Sequence, residues 1–151
     1  MPYQKTTESD IINRAIEVFR RKGYDATSMQ ELADACGLTK GLFYHYFPNK
    51  KALMLRSLEI AHSYTRYNLF DRIRQTAIGP AEKENIAEAQ LMKIFNAYDG
   101  GCFFANTALG TMHNHPEFHV PIQAFFDDWF DCLKQWYGGF TDPKQAHERA
   151  D

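Results

Sequence analysis

Two capping boxes, Thr7 with Asp10 and Ser28 with Glu31, set the starts of the first helices in this 151-residue chain. In each box a hydroxyl can accept the backbone N–H three residues on, and a carboxylate can reach back to the cap's own N–H. The first box leads into Ile12, Ala15, Ile16 and Phe19 at helical spacing, which predicts a helix over 8–22. Arg20, Arg21 and Lys22 beside the negative end of its dipole, then Gly23, close it. The second box heads a helix of about two turns that stops at Gly37, and Thr39 caps a third, through Tyr46, stopped by Pro48. Two short helices around a glycine turn form the helix-turn-helix arrangement, whose second member can enter a DNA major groove. Ala33 is small where the two would cross, and Leu32, Leu38, Phe43 and Tyr46 fall where the pair must pack on the first helix.

The remainder also has helical periodicity, with no alternating run long enough for a strand, so the fold class is all-α. Asn49 caps a long helix from Lys50 to about Thr76, ended by Gly79-Pro80. Ile86, Leu91, Ile94 and Phe95 mark a helix over 81–98, Asp99-Gly100-Gly101 breaks it, and another covers 102–112. After the polar run from His113 to Glu117, a helix over 116–137 carries Phe118, Ile122, Phe126, Trp129 and Leu133 and ends at Gly138-Gly139. Thr141-Asp142-Pro143 has the form of one more helix start with only about two turns left before Asp151, too few for a stable end. A body incomplete at its C-terminal end is the expectation. The division expected is 1–51 for the helix-turn-helix domain and 52–151 for the body.

The 44% hydrophobic and 24% charged residues exclude a disordered or fibrous chain. The net charge of −2 hides an asymmetry of +2 in residues 1–51 against −4 in the rest, which points the head toward an anionic partner. Cys36, Cys102 and Cys132 are odd in number and far apart, which argues against a disulfide framework and for a reducing cytoplasm. The polar start is no signal peptide and no stretch suits a membrane helix, so a cytoplasmic location without a membrane partner is expected.

The ordered set Ile12, Ala15, Phe19, Gly23, Thr27, Leu32, Ala33, Gly37, Lys40-Gly41, Phe43-Tyr44-His45-Tyr46-Phe47, Lys50 and Leu53 resembles the DNA-binding domain of the TetR family of bacterial transcriptional regulators. The resemblance covers about the first third of the chain. It implies three DNA-binding helices followed by a helical ligand-binding and dimerising body, the whole acting as a homodimeric repressor on a palindromic operator, without a cofactor. It also implies base recognition by Lys40, Gly41, Leu42 and His45, with phosphate contacts from Tyr44, Tyr46 and Lys50. The residues themselves add Thr39 as a group within reach of the duplex. Thr27 and Ser28, at the positive end of their helix, are placed to hold another phosphate. Against this stands the ordinary reading of Phe43, Tyr44, Tyr46 and Phe47 as aromatic core.

Residues 95–140 contain twelve of the 22 Phe, Tyr and Trp residues, enough for a core and, on the family's pattern, a pocket for a small hydrophobic or aromatic effector. Tyr64, Tyr67, Cys102, Phe104, Phe126 and Trp129 are its candidate walls. Gly101-Cys102-Phe103-Phe104-Ala105-Asn106 resembles a Gly-Cys-x-x-x-Asn stretch in a subset of the family that includes thiol-based sensors. A thiol at a helix N-terminus gains thiolate character, although a free cysteine is more often a small core residue. His113, His115, Glu117 and His119 alternate at i, i+2, a spacing unsuited to helical metal ligands. No nucleophile-and-base or phosphate-cradling motif is present, which disfavours an enzyme. The competing readings are a Cys102-based sensor, a thiol-dependent peroxidase and a small-molecule-binding helical protein that does not bind DNA.

Overall fold

The computed structural model describes residues 6–96 and 101–138, and within them every regular element is helical. The order is α1 Glu8–Lys22, α2 Met29–Ala35, α3 Lys40–Tyr46, α4 Lys50–Thr65, a π-helical turn Arg66–Phe70, α5 Asp71–Arg74, α6 Pro80–Asn96, α7 Phe103–Thr111, a 3-10 turn Pro116–Phe118 and α8 His119–Gly138. Tyr98, the Asp99-Gly100 part of the break, Gly139 and the Thr141-Asp142-Pro143 helix start lie outside the described residues.

The head follows its capping chemistry. Thr7 Oγ1 accepts the Asp10 N–H at 3.2 Å while the Asp10 carboxylate accepts the Thr7 N–H at 2.9 Å. Ser28 and Glu31 repeat the exchange at 3.2 and 2.9 Å. Gly23 at φ +82° and Gly37 at φ +65° make the turns, conformations that a Cβ would strain. Gly23 N–H donates to Phe19 O at 2.8 Å, and the ion pair between Lys22 and Glu31 ties the end of α1 to the start of α2. Ile11, Ile12, Ala15 and Phe19 of α1 then meet Leu32, Ala33 and Phe43, with Leu53, Met54 and Leu58 of α4 closing the core.

The long helix expected from Lys50 to about Thr76 is interrupted and ends at Arg74, and Pro80 begins the following helix rather than ending the preceding one. The interruption has a local cause. Asn68 Nδ2 donates to Tyr64 O at 2.8 Å and Thr65 Oγ1 to Ala61 O at 2.9 Å, so side chains occupy carbonyls of the helical ladder. The ladder widens, and Asp71 N–H bonds to Arg66 O, five residues back.

Around this turn the body assembles. Leu69, Phe70 and Ile73 pack with Ile86 and Ala87 of α6, Phe103 and Phe104 of α7, and Ile122, Phe125 and Cys132 of α8. Asp128 of α8, 8% exposed, draws three basic side chains from the α4–α5 rod: His62 Nε2 at 2.8 Å, Arg66 Nε at 2.8 Å and Arg74, which also donates to its backbone carbonyl at 3.0 Å. Burial alone would raise the Asp128 pKa. The hydrogen bonds from Arg74, Arg66 and His62 outweigh it and bring the group down to about 2.

Candidate nucleic-acid interface and effector cavity

α3 presents one face to solvent. Phe43 is fully buried against the head core, whereas Lys40, Gly41, Leu42, Tyr44 and His45 are exposed, Leu42 to 46% and Tyr44 to 41%. Thr39 Oγ1 accepts the Leu42 N–H at 3.3 Å, which fixes the start of the helix and leaves the hydroxyl near the exposed end. Lys40 Nζ sits 6.0 Å from the Tyr44 ring centroid, so a cation and a phenol share one strip. Cations, hydroxyls and apolar contacts on one exposed helix are what a major groove accepts.

Four residues expected at phosphates hold hydrogen-bond partners within the protein. Thr27 is 2% exposed and its hydroxyl donates to Gly23 O at 2.7 Å, a bond within the α1–α2 turn. Ser28 spends its oxygen on the α2 cap. Tyr46 is half-buried and its hydroxyl donates to Thr6 O at 2.9 Å, anchoring the chain ahead of α1. The Lys50 ammonium donates to both Tyr24 O and Thr27 O at 2.7 Å and lies 4.3 Å from the Tyr24 ring centroid. Burial lowers the Lys50 pKa, against the pull of Asp25 and Glu31. Its geometry is that of a brace across the head, with two of three N–H donors committed. Lys51 beside it is exposed.

One contact of the head with the body runs through Tyr24 and Asp25. The Tyr24 ring meets His115 and Phe118 edge-on at 4.7 and 4.8 Å, and His115 Nε2 lies 2.6 Å from Asp25 Oδ1. His115 Nδ1 is 3.6 Å from Glu117, and His119 Nε2 bonds to Met112 O at 2.9 Å. His115 and His119 thus belong to the interdomain contact and a loop cap. No three potential ligands converge on a metal position among the described residues.

A cavity of about 380 Å³ opens between α1, α4, α6 and α7, large enough for a small organic ligand. Of the expected walls, Tyr64, Cys102 and Phe104 line it. Tyr67, Phe126 and Trp129 do not: Tyr67 is 75% exposed on the π turn, and Trp129 packs on Phe70 and Phe125 within the body core. Residues not expected there include Ile60, Leu69, Phe103 and Phe125, and from the head Asn13, Ile16, Glu17 and Arg20. Phe104 and Phe125 stack with centroids 3.7 Å apart and form one wall. Cys102 is the residue before α7, follows Gly101 at φ +68°, and makes no side-chain cap bond. Burial pushes the other thiols up, Cys36 to about 11 and Cys132 in the same direction, which disfavours the thiolate in both.

Residues 11–56, which contain the whole of this helix-turn-helix, match the family described as bacterial regulatory proteins, tetR family. The N-terminal domain is a tetR-family DNA-binding domain. YuxN of Bacillus subtilis (strain 168), named as an HTH-type transcriptional regulator, is 46% identical to this chain over 61 residues, 40% of this chain and 21% of that protein. The chain spans about a fifth of the length of the curated relatives it matches. Among solved structures, the TetR family transcriptional regulator PfmR from Thermus thermophilus has a TM-score of 0.64 at 27% identity, over 93% of this chain and 74% of that one. AibR, solved with isovaleryl coenzyme A and operator DNA, has a TM-score of 0.65 at 21% identity, over 91% and 73%, a likeness of fold. YuxN and PfmR are both named as transcriptional regulators. No helix among the described residues is long and apolar enough to cross a membrane.

Proposed function

We propose that this chain joins a DNA-binding head to an effector-binding body and acts as a homodimeric, one-component transcriptional repressor. The observation that carries the reading is α3, packed through Phe43 and exposing Lys40, Leu42, Tyr44 and His45 together. Two such helices, about 34–36 Å apart in a dimer, meet successive major grooves of a palindromic operator. Apolar side chains left exposed on α8, Val120, Phe130 and Tyr137, support the dimer. The aromatic cavity supports a small hydrophobic or aromatic effector, and AibR offers a precedent for an organic ligand on this fold. Occupancy shifts the population toward a spacing of the two heads that fits the operator poorly.

Binding to the DNA beside the chain's own gene, measured at several salt concentrations, tests this. Affinity is expected to fall steeply with salt, and a Lys40→Ala, Tyr44→Ala double variant to lose on the order of a hundredfold. Salt-independent binding, or full affinity in that variant, overturns the assignment in favour of a helical binding protein without DNA activity. A second reading, effector sensing through the Cys102 thiol, is supported by the position of Cys102 on the cavity wall. An unaltered effector response in Cys102→Ser would remove it.

A further inference from the structure

α3 carries a glycine that its own packing does not call for. Gly41 lies in the first turn of the helix with an ordinary helical backbone, and a Cβ there would meet no other part of the protein within 4 Å among the described residues. Glycine within a helix is destabilising relative to alanine, so neither local structure nor packing accounts for it. At about 100° per residue, Gly41 and His45 fall on the side of α3 facing away from the fully buried Phe43, at the centre of the solvent-facing strip. Lys40 and Tyr44 stand on one flank of that strip, the ammonium 6.0 Å from the ring centroid, and exposed Leu42 on the other. A notch without a side chain therefore adjoins an apolar side chain, on a helix that is cationic along its other flank.

The chemistry of base edges narrows what such a strip can distinguish. In the major groove adenine is read by the carboxamides of Asn and Gln and cytosine by carboxylates, whereas thymine offers a C5-methyl group that apolar side chains recognise. α3 has neither a carboxamide nor a carboxylate, and Gln30 and Asp34 of the preceding α2 bond to each other at 2.7 Å. Leu42 is the one aliphatic side chain that α3 turns to solvent. We propose that Gly41 and Leu42 read a thymine: Gly41 lets the backbone of α3 close on the groove floor, and the Leu42 side chain covers the thymine C5-methyl. This rests on the repressor reading above and adds the base at one position of each operator half-site.

Duplexes enriched by the full chain from a randomised pool, then remade with uracil in place of each thymine in turn, test this, since uracil removes the methyl and keeps the base pair. One position in each half-site is expected to be methyl-sensitive, losing about fourfold in affinity when one half-site is changed and about fifteenfold when both are. Leu42→Ala binds the thymine and uracil duplexes equally. It melts as the wild type does, because the side chain is exposed and the Thr39 cap uses the Leu42 backbone N–H, which alanine keeps. Gly41→Ala binds every enriched duplex on the order of tenfold more weakly while melting no lower than the wild type, a combination that a purely structural glycine would not give. Indifference to uracil at every thymine, methyl sensitivity that survives in Leu42→Ala, or full affinity in Gly41→Ala overturns the proposal. If enriched duplexes bind with steep salt dependence yet are indifferent to uracil, the repressor reading stands and the thymine contact falls. If no duplex is enriched, the repressor reading itself fails and the thymine contact with it.

Discussion

In the head, and at the start of the rod that leaves it, every helix begins with its own side-chain cap: Thr7, Ser28, Thr39 and Asn49 each accept the N–H three residues on. In the body, α5 and α7 begin without a side-chain cap, α4 passes into a π turn, and the core surrounds a cavity. The head thus starts each of its helices locally and packs them around a small closed core, which suits an element that must present one rigid face. The body is held by contacts between distant segments, the Asp128 cluster above all, and keeps empty volume. On the proposed function, rigidity sits where a duplex would be read, and slack where a ligand would enter.

The largest expected effect comes from emptying each core in turn. Phe43→Ala removes a fully buried ring from the head and is expected to cost about 3–5 kcal/mol, abolishing DNA binding. Phe104→Ala widens an existing cavity, so fewer packing contacts are lost, and a smaller cost, about 2–3 kcal/mol, is expected with the head still folded. Equal losses in denaturant melts would erase the contrast between a closed and an open core.

Next comes Asp128→Asn, which leaves Arg66 and Arg74 without their carboxylate. Because Arg66 reaches solvent, a cost of about 2–3 kcal/mol is expected rather than that of a sealed ion pair. Folding depresses this pKa, so the stabilisation is complete above the ordinary value of 3.8 and is lost as pH falls toward about 2. Melts between those pH values should show a decline in the wild type that Asp128→Asn lacks.

Lys50→Ala bears on the head alone. As a brace between Tyr24 and Thr27 it is expected to contribute about 1–3 kcal/mol of stability. If melts are unchanged and only DNA affinity drops, Lys50 is a phosphate contact after all. The smallest effect belongs to Tyr67→Ala, within about 0.5 kcal/mol and with effector affinity intact, since the ring faces solvent. A marked loss of effector binding there would place the cavity elsewhere.

Helix starts, the glycine turn and the exposed strip of α3 were legible in the sequence because each depends on residues within about a turn of one another. The fates of Tyr46 and Lys50 were not, since their acceptors lie 40, 26 and 23 residues away. The polar types alone suited a phosphate equally well. In the body, Tyr64, Cys102 and Phe104, named from aromatic density and the glycine-preceded cysteine, line the cavity, but Tyr67 was assigned on an unbroken helix. One extra residue in a π turn rotates the next stretch of helix by about 100°, and only Asn68 and Thr65, both able to cap carbonyls, hinted at it.

An all-helical chain with a helix-turn-helix head follows from residue order alone, because capping, turn chemistry and 3.6-residue periodicity are short-range properties of the chain. Only the packed molecule shows which hydroxyls and ammonium groups hold partners within the protein, and that α1 lines the cavity. Those outcomes depend on which distant carbonyls, rings and carboxylates come together once the apolar faces are buried, and no local pattern encodes that meeting.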